Sequence, residues 1–256
     1  STKAFSAILG YTSASFLAPH SLGHRENAHI FKAPMTASTS ASSHPSSAPS
    51  AQVLLEARAL FCERDDRVLF NDLAFSLHEG ELLQVQGSNG SGKTTLLRIL
   101  CGLNSSYEGE LFWEGVPIDE DRETFLASLL YLGHRVGVNK ILTARENLRW
   151  SAALHSPKTD QDIDASLEAV GLMGYADITC RNMSAGQQQR VSLARLLLSP
   201  ARLWVLDEPF TTLDVSGVKI LENLLAAHVA QGGAVLVTTH HQLDVPCSMR
   251  RLNLDK

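Results

Sequence analysis

The chain has 256 residues, 44% of them hydrophobic, enough for one large core or a core carrying a small subdomain. Its net charge of −5 argues against nucleic acid as a partner, and it contains no window of about 18 apolar residues that could span a membrane as a helix. Cys62, Cys101, Cys180 and Cys247 are far apart and form no Cys-x-x-Cys pair, so they read as reduced thiols of a reducing compartment.

Residues 1–50 differ in composition from the rest. Between Thr36 and Ser50 every residue except His44 is Ser, Thr, Ala or Pro. Such a stretch cannot bury enough apolar area to offset its ordering entropy, so residues 1–50 are expected to be a disordered extension. Residues 1–35 include Phe5, Ile8, Leu9, Phe16 and Leu17 but lack the basic start and sustained apolar run of a signal peptide. Met35 directly precedes the Ser-rich run, which leaves two readings open, one starting the natural chain there and one including residues 1–34.

From residue 53 the patterning becomes that of a folded chain. Residues 53–60 and 68–77 alternate as strands, joined by a tight turn around Arg64, Asp65, Asp66 and Arg67. Residues 81–86 read as a third strand. Residues 87–94 then read Gly-Ser-Asn-Gly-Ser-Gly-Lys-Thr, a full match to the phosphate-loop pattern G-x-x-x-x-G-K-[ST], and the apolar spacing of a helix follows over about 93–102. Gly87, Gly90 and Gly92 allow the backbone to wrap a phosphate. Successive N–H groups of Ser88, Asn89, Ser91 and the helix start at Thr95 can then point at the anion. Lys93 would reach the β- and γ-phosphates and the Thr94 hydroxyl would ligate Mg²⁺. This strand, loop and helix predict binding of a nucleoside triphosphate.

Residues 110–113 predict a short strand that completes a small antiparallel sheet with the first two. A strand over residues 129–133 leads to His134. Residues 143–155 and 161–170 are amphipathic and predict a helical subdomain inserted at about 135–185. Met183-Ser184-Ala185-Gly186-Gln187 opens a helix over 187–198, where Ser184 taken alone reads equally well as an N-cap. The apolar run from Leu203 ends in Asp207 and Glu208, and Pro209 halts the strand there. Asp207 would hold Mg²⁺ and Glu208 would polarise an attacking water. Asp214, a helix over 217–231, and a β-branched strand from Ala234 ending on His240 follow; Cys247 falls in an exposed-looking tail after Pro246. The expected fold is α/β, a P-loop NTPase core with a parallel sheet, a small antiparallel β subdomain and an inserted helical subdomain, over residues 53–256.

These motifs, in this order, resemble those of ABC ATPases, with Ala185 standing where that family usually has its first signature glycine. The resemblance implies ATP with Mg²⁺ as cofactor and a head-to-tail homodimer, in which Ser184, Gly186, Gln187 and Asp214 contact the nucleotide held by the other copy. It makes His240 the switch histidine at the γ-phosphate, places His134 where the family has a Gln, and places Arg64 where an aromatic residue stacks on adenine. The stretches 62–70, 129–134, 142–148 and 206–215 are similar to the ATP-binding subunits of bacterial cytochrome c maturation exporters. That narrower resemblance implies a peripheral ATPase on the cytoplasmic face of the inner membrane, paired with integral-membrane subunits and driving haem export or release of a haem-loaded chaperone. The alternatives are the ATPase of another ABC transporter and a soluble ABC ATPase acting on nucleic acid or ribosomes. The single motif set and the acidic balance speak against the second of these.

Because folded patterning begins only near Val53, removal of residues 1–50 should leave the melting temperature and ATP turnover within error. A large loss of either would show that the segment packs on the cassette.

Overall fold

The computed structural model describes residues 52–154 and 157–255. The expectations for residues 1–50, disorder and the alternative start at Met35 included, fall outside the described residues.

Two sheets organise the described residues. Strands β1 (Val53–Arg64) and β2 (Arg67–His78) form a hairpin. Its turn residues Asp65 and Asp66 both adopt left-handed backbone, φ 53° and 59°, the geometry that matches the twist of paired strands. β4 (Glu108–Trp113) pairs with β1, and β5 (Val116–Pro117) extends the sheet, giving the order β2-β1-β4-β5. The second sheet is parallel throughout. It has the order β6-β7-β8-β3-β9, with β3 (Glu81–Gln86), β6 (Leu129–Leu132), β7 (Leu203–Asp207), β8 (Ala234–Thr238) and β9 (Ser248–Asn253).

The parallel sheet divides two cores by side-chain alternation. On one face Leu130, Leu132, Trp204, Leu206, Val235 and Val237 pack against α3 (Ala144–Ala153), α4 (Asp160–Ala169), α5 (Ala185–Leu198) and α6 (Val215–Ala230). On the other, Leu83, Val85, Leu129, Leu203, Val205 and Leu236 pack against α1 (Lys93–Leu100), α2 (Arg122–Ala127) and the antiparallel sheet. Strands buried on both faces explain why β7 and β8 read as unbroken apolar runs. Helices α3, α4 and α5 each begin with a capping box, Thr143/Glu146, Thr159/Asp162 and Ser184/Gln187, which satisfies N–H groups that a helix start leaves unpaired.

The structure adds elements that the pattern did not show. β5 and α2 are short, and β9, Ser-Met-Arg-Arg-Leu-Asn, has no apolar alternation because it is an edge strand. Its order comes from pairing with β3 along its whole length. The tail around Cys247 is therefore not loose: Cys247 is half-buried against the helical core just before β9, whereas Cys62, Cys101 and Cys180 are buried, and all four are free thiols.

His228 on α6 stacks on Trp204 with ring centroids 3.7 Å apart, and its Nε2 lies 3.1 Å from the Arg202 carbonyl. A carbonyl only accepts, so Nε2 carries the proton of a neutral ring. Burial pushes this imidazole down to about 4. Protonation is thus harder in the folded than in the unfolded chain, and the fold loses stability as pH falls from about 6.5 to about 4, by on the order of 3 kcal/mol, with no effect above that window. His228→Phe keeps the stacked ring and should flatten this part of the urea-midpoint pH profile.

Candidate functional site

The phosphate loop leaves buried β3 at Gln86 and reaches α1 at Lys93. It can be this tight only with glycine at its first position: Gly87 has φ 151°, and a Cβ there would lie 2.4 Å from the Ser91 hydroxyl. Gly92 caps α1 without a side chain, so the first N–H groups of that helix open toward the loop. Lys93 arches back across it, donating from Nζ to the carbonyls of Gly87 at 2.7 Å and Ser88 at 3.0 Å. A cationic nitrogen and the remaining N–H donors of the loop are left for the concavity. The Ser88 N–H, expected to point at the anion, donates instead to Asp255 at 2.8 Å, and the Ser91 N–H to the Ser88 carbonyl at 3.2 Å, which closes the turn.

Two acids arrive at the same edge from β7. Asp207 is 2% exposed. Its Oδ1 accepts from the Thr238 hydroxyl at 2.8 Å, while Oδ2 is buried with no hydrogen-bond partner among the described residues. An orphaned buried carboxylate oxygen is costly unless a cation or bound water completes it. Its charge is felt nearby: burial first, and Asp207 second, push Cys101 and Tyr131 each up to about 12. Glu208 sits in left-handed backbone, φ 52°, a conformation that costs about 1–2 kcal/mol for a non-glycine residue. The Glu208 N–H offsets part of this by donating to both the carbonyl and the hydroxyl of Thr238, at 3.1 and 3.0 Å. His240, just past β8, brings Nε2 to 3.5 Å from Glu208 Oε1.

These groups line one cavity of about 760 Å³. It gathers the loop residues Asn89, Gly90, Gly92, Lys93, Thr94 and Thr95, the acids Asp207 and Glu208, and His240, His134 and Arg64. Gly87, Ser88 and Ser91 complete the loop beside it. Arg64 stands at the mouth with Nε 3.3 Å from Asp65. Asp65, Arg67, Leu69 and Thr211 also line the cavity and were not foreseen. Arg67 was within reach of sequence reasoning, since it flanks the same turn as Arg64.

Ser184, Gly186, Gln187 and Asp214 do not line this cavity. Ser184 and Gln187 bond each other across the first turn of α5, with Gln187 accepting from the Ser184 N–H at 2.9 Å. Gly186 packs where a Cβ would come 2.9 Å from the Thr212 carbonyl, which accounts for glycine there while Ala185 is tolerated. Asp214 caps α6 at Gly217 and pairs with Arg190, whose guanidinium, with the Gly217 N–H and the Ser216 hydroxyl, holds its carboxyl down at about 2. These four residues form a second surface centred on the start of α5.

Residues 70–211 match the family model described as ABC transporter. The chain is 52% identical over 201 residues to a protein of Hahella chejuensis named cytochrome c biogenesis ATP-binding export protein CcmA, covering 78% of this chain and 95% of that one. A Pseudomonas putida protein of the same name is also 52% identical, with 78% and 96% covered. Among solved structures, an ABC transporter ATP-binding protein from Pyrococcus furiosus superposes with TM-score 0.69 at 27% identity, covering 78% of this chain and 96% of that one.

The roles expected of three of these side chains predict separable defects. Lys93→Ala removes a cation from the loop and should weaken ATP binding about tenfold or more, together with hydrolysis. His240→Ala should leave affinity nearly unchanged and lower turnover about a hundredfold. Glu208→Gln should bind ATP normally and lose about a hundredfold or more in hydrolysis. Equal binding defects in all three variants, measured by titration with ATP, would contradict this division.

Proposed function

The chain belongs to the ABC transporter family of ATP-binding proteins, and from this we propose that it is the ATP-hydrolysing subunit of a cytochrome c biogenesis exporter. The observation that carries the reading is the convergence of the Lys93 loop, the Asp207–Glu208 pair and His240 on one cavity, in a chain about half identical to proteins named for that task.

In this mechanism the N–H groups of the loop that remain unpaired, the start of α1 and Lys93 grip the β- and γ-phosphates of ATP. Glu208 polarises a water for in-line attack on the γ-phosphorus, and His240 donates to the γ-phosphate oxygens as charge develops there. The orphaned Asp207 Oδ2 and the nearby Thr94 hydroxyl fit a Mg²⁺ ion. When bound, that ion would neutralise negative charge on the phosphates. Arg64 covers the base at the cavity mouth by stacking its guanidinium plane.

Ser184, Gly186, Gln187 and Asp214 do not line their own cavity and, on this reading, close on the nucleotide of a second copy, so that the working unit is a head-to-tail dimer with two composite sites. No helix among the described residues is long and apolar enough to cross a membrane; on this reading the transmembrane path belongs to separate integral-membrane subunits. The cassette sits against them at the cytoplasmic face of the inner membrane, moving haem or releasing a haem-loaded chaperone. On this reading His134 connects the two; what supports it is that His134 lines both the 760 Å³ cavity and an adjoining cleft of about 600 Å³ with Leu103, Tyr131, Arg135 and Arg195.

Co-purification of the untagged chain with its membrane subunits, and loss of c-type cytochromes in a deletion strain, test the reading directly; normal cytochrome maturation without this chain would refute it. His134→Ala should keep ATP affinity and lose the extra ATPase activity seen with membrane partners. His134→Gln should regain most of it, since an amide offers a donor and an acceptor at similar reach.

A further inference from the structure

The parallel edge strand β9 ends beside the phosphate loop. It pairs with β3 from Glu81 opposite Ser248 to Gln86 opposite Asn253, and the Leu254 N–H continues the ladder to the Gln86 carbonyl at 2.9 Å. Leu254 is buried, and the Asp255 N–H donates to Asn253 Oδ1 at 3.1 Å, so the backbone leading into Asp255 is anchored. Its carboxylate reaches the loop. Oδ1 accepts from the Ser88 N–H and the Ser88 hydroxyl, each at 2.8 Å, and Oδ2 lies 3.0 Å from the same N–H.

The Gly87–Ser88 peptide unit is thus held at both ends by opposite charges. Its N–H donates to Asp255, and its carbonyl, Gly87 O, accepts from Lys93 Nζ at 2.7 Å. Gly87 has no side chain to restrict rotation of this unit, and glycine adopts backbone conformations closed to other residues. Something else must therefore fix the direction in which the Gly87 carbonyl points. We propose that Asp255 is a positioning residue of the phosphate loop, locking the Gly87–Ser88 peptide so that its carbonyl holds Lys93 over the phosphate-binding concavity. A chain of hydrogen bonds running from an anion through a peptide to a cation polarises each member, which makes the restraint stronger than either bond alone. The Ser88 N–H and hydroxyl, together with nearby Lys93, hold the Asp255 carboxyl below the ordinary carboxylate range, as a carboxylate kept charged in this role requires.

The inference rests on the nucleotide-binding reading, and the experiment tells the two apart. ATP is titrated into the full chain by calorimetry, and hydrolysis is followed to obtain KM and kcat. Asp255→Ala should raise the dissociation constant and KM about tenfold, the loss of one charge-assisted bond, while kcat stays within about twofold. Asp255→Asn, which keeps an acceptor for the Ser88 N–H but no charge, should fall between the two and guards against a fold defect in the alanine variant. In a Lys93→Ala background the Asp255→Ala penalty should vanish, because the peptide then has no cation to aim. Unchanged affinity in Asp255→Ala, tighter binding from release of a competing carboxylate, or an equal penalty with and without Lys93 would each overturn the proposal. A wild-type chain that binds no ATP would instead overturn the nucleotide-binding reading.

Discussion

Parallel pairing of β7 with β8 puts Asp207 opposite Thr238, and the candidate site is built outward from that register. The Thr238 hydroxyl donates to Asp207 and accepts from the Glu208 N–H, so one side chain orients the buried carboxylate and stabilises the left-handed turn that follows it. A slip of one residue would exchange the faces of every side chain on the strand, carry Trp204 and Leu206 into the opposite core, and turn Asp207 away from the cavity. The packing of both cores thus enforces the position of the acids, and the cost of exposing those cores is what prevents the slip.

All five strands of this sheet point their carboxyl ends the same way, and open parallel sheets place ligands outside those ends. The loop after β3, the acids at the end of β7, His240 after β8 and His134 after β6 therefore meet although Gly87 and His240 are 153 positions apart in the chain. Each is a short loop on a rigid strand, which holds the donors and acids without the entropy cost of ordering them at binding. The groups of the second surface hang instead from helix starts: Ser184 and Gln187 from a capping box, Asp214 from the cap of α6. Arg190 ties the two, pairing with Asp214 and donating to the Val170 carbonyl beyond α4. Movement of α5 would therefore carry Asp214 and the end of α4 with it.

Much of the architecture could be read locally. The phosphate loop is a contiguous pattern whose glycines, lysine and threonine serve one another within a single turn. β7 and β8 announce themselves as buried runs, and α3 and α4 as amphipathic periods. The elements missed are those whose order is borrowed. β9 has two arginines in the middle and gains its conformation from the β3 ladder, and β5 and α2 are too short to carry a period. The same distinction holds for side chains. Arg64 and Arg67 are two charges on an exposed turn until β1 and β2 swing that turn over the loop, and Ser184 is a helix cap in the local pattern and in the structure alike.

The sequence by itself determined that this chain holds a phosphate loop followed by two strand-end carboxylates and a strand-end histidine, because each depends on residues adjacent in the chain. It also determined the parallel α/β class, because strands buried on both faces must be apolar along their whole length. Only the tertiary structure decided that Lys93, Asp207, Glu208 and His240 share one cavity, that His134 stands between that cavity and a neighbouring cleft, and that Gly186 is pressed on the Thr212 carbonyl. It alone brought Asp255 to Ser88, across 167 positions of chain. Such contacts are settled by strand order and sheet register, and these follow from how two cores pack on opposite faces of one sheet, a property of the whole chain that no short stretch of it encodes.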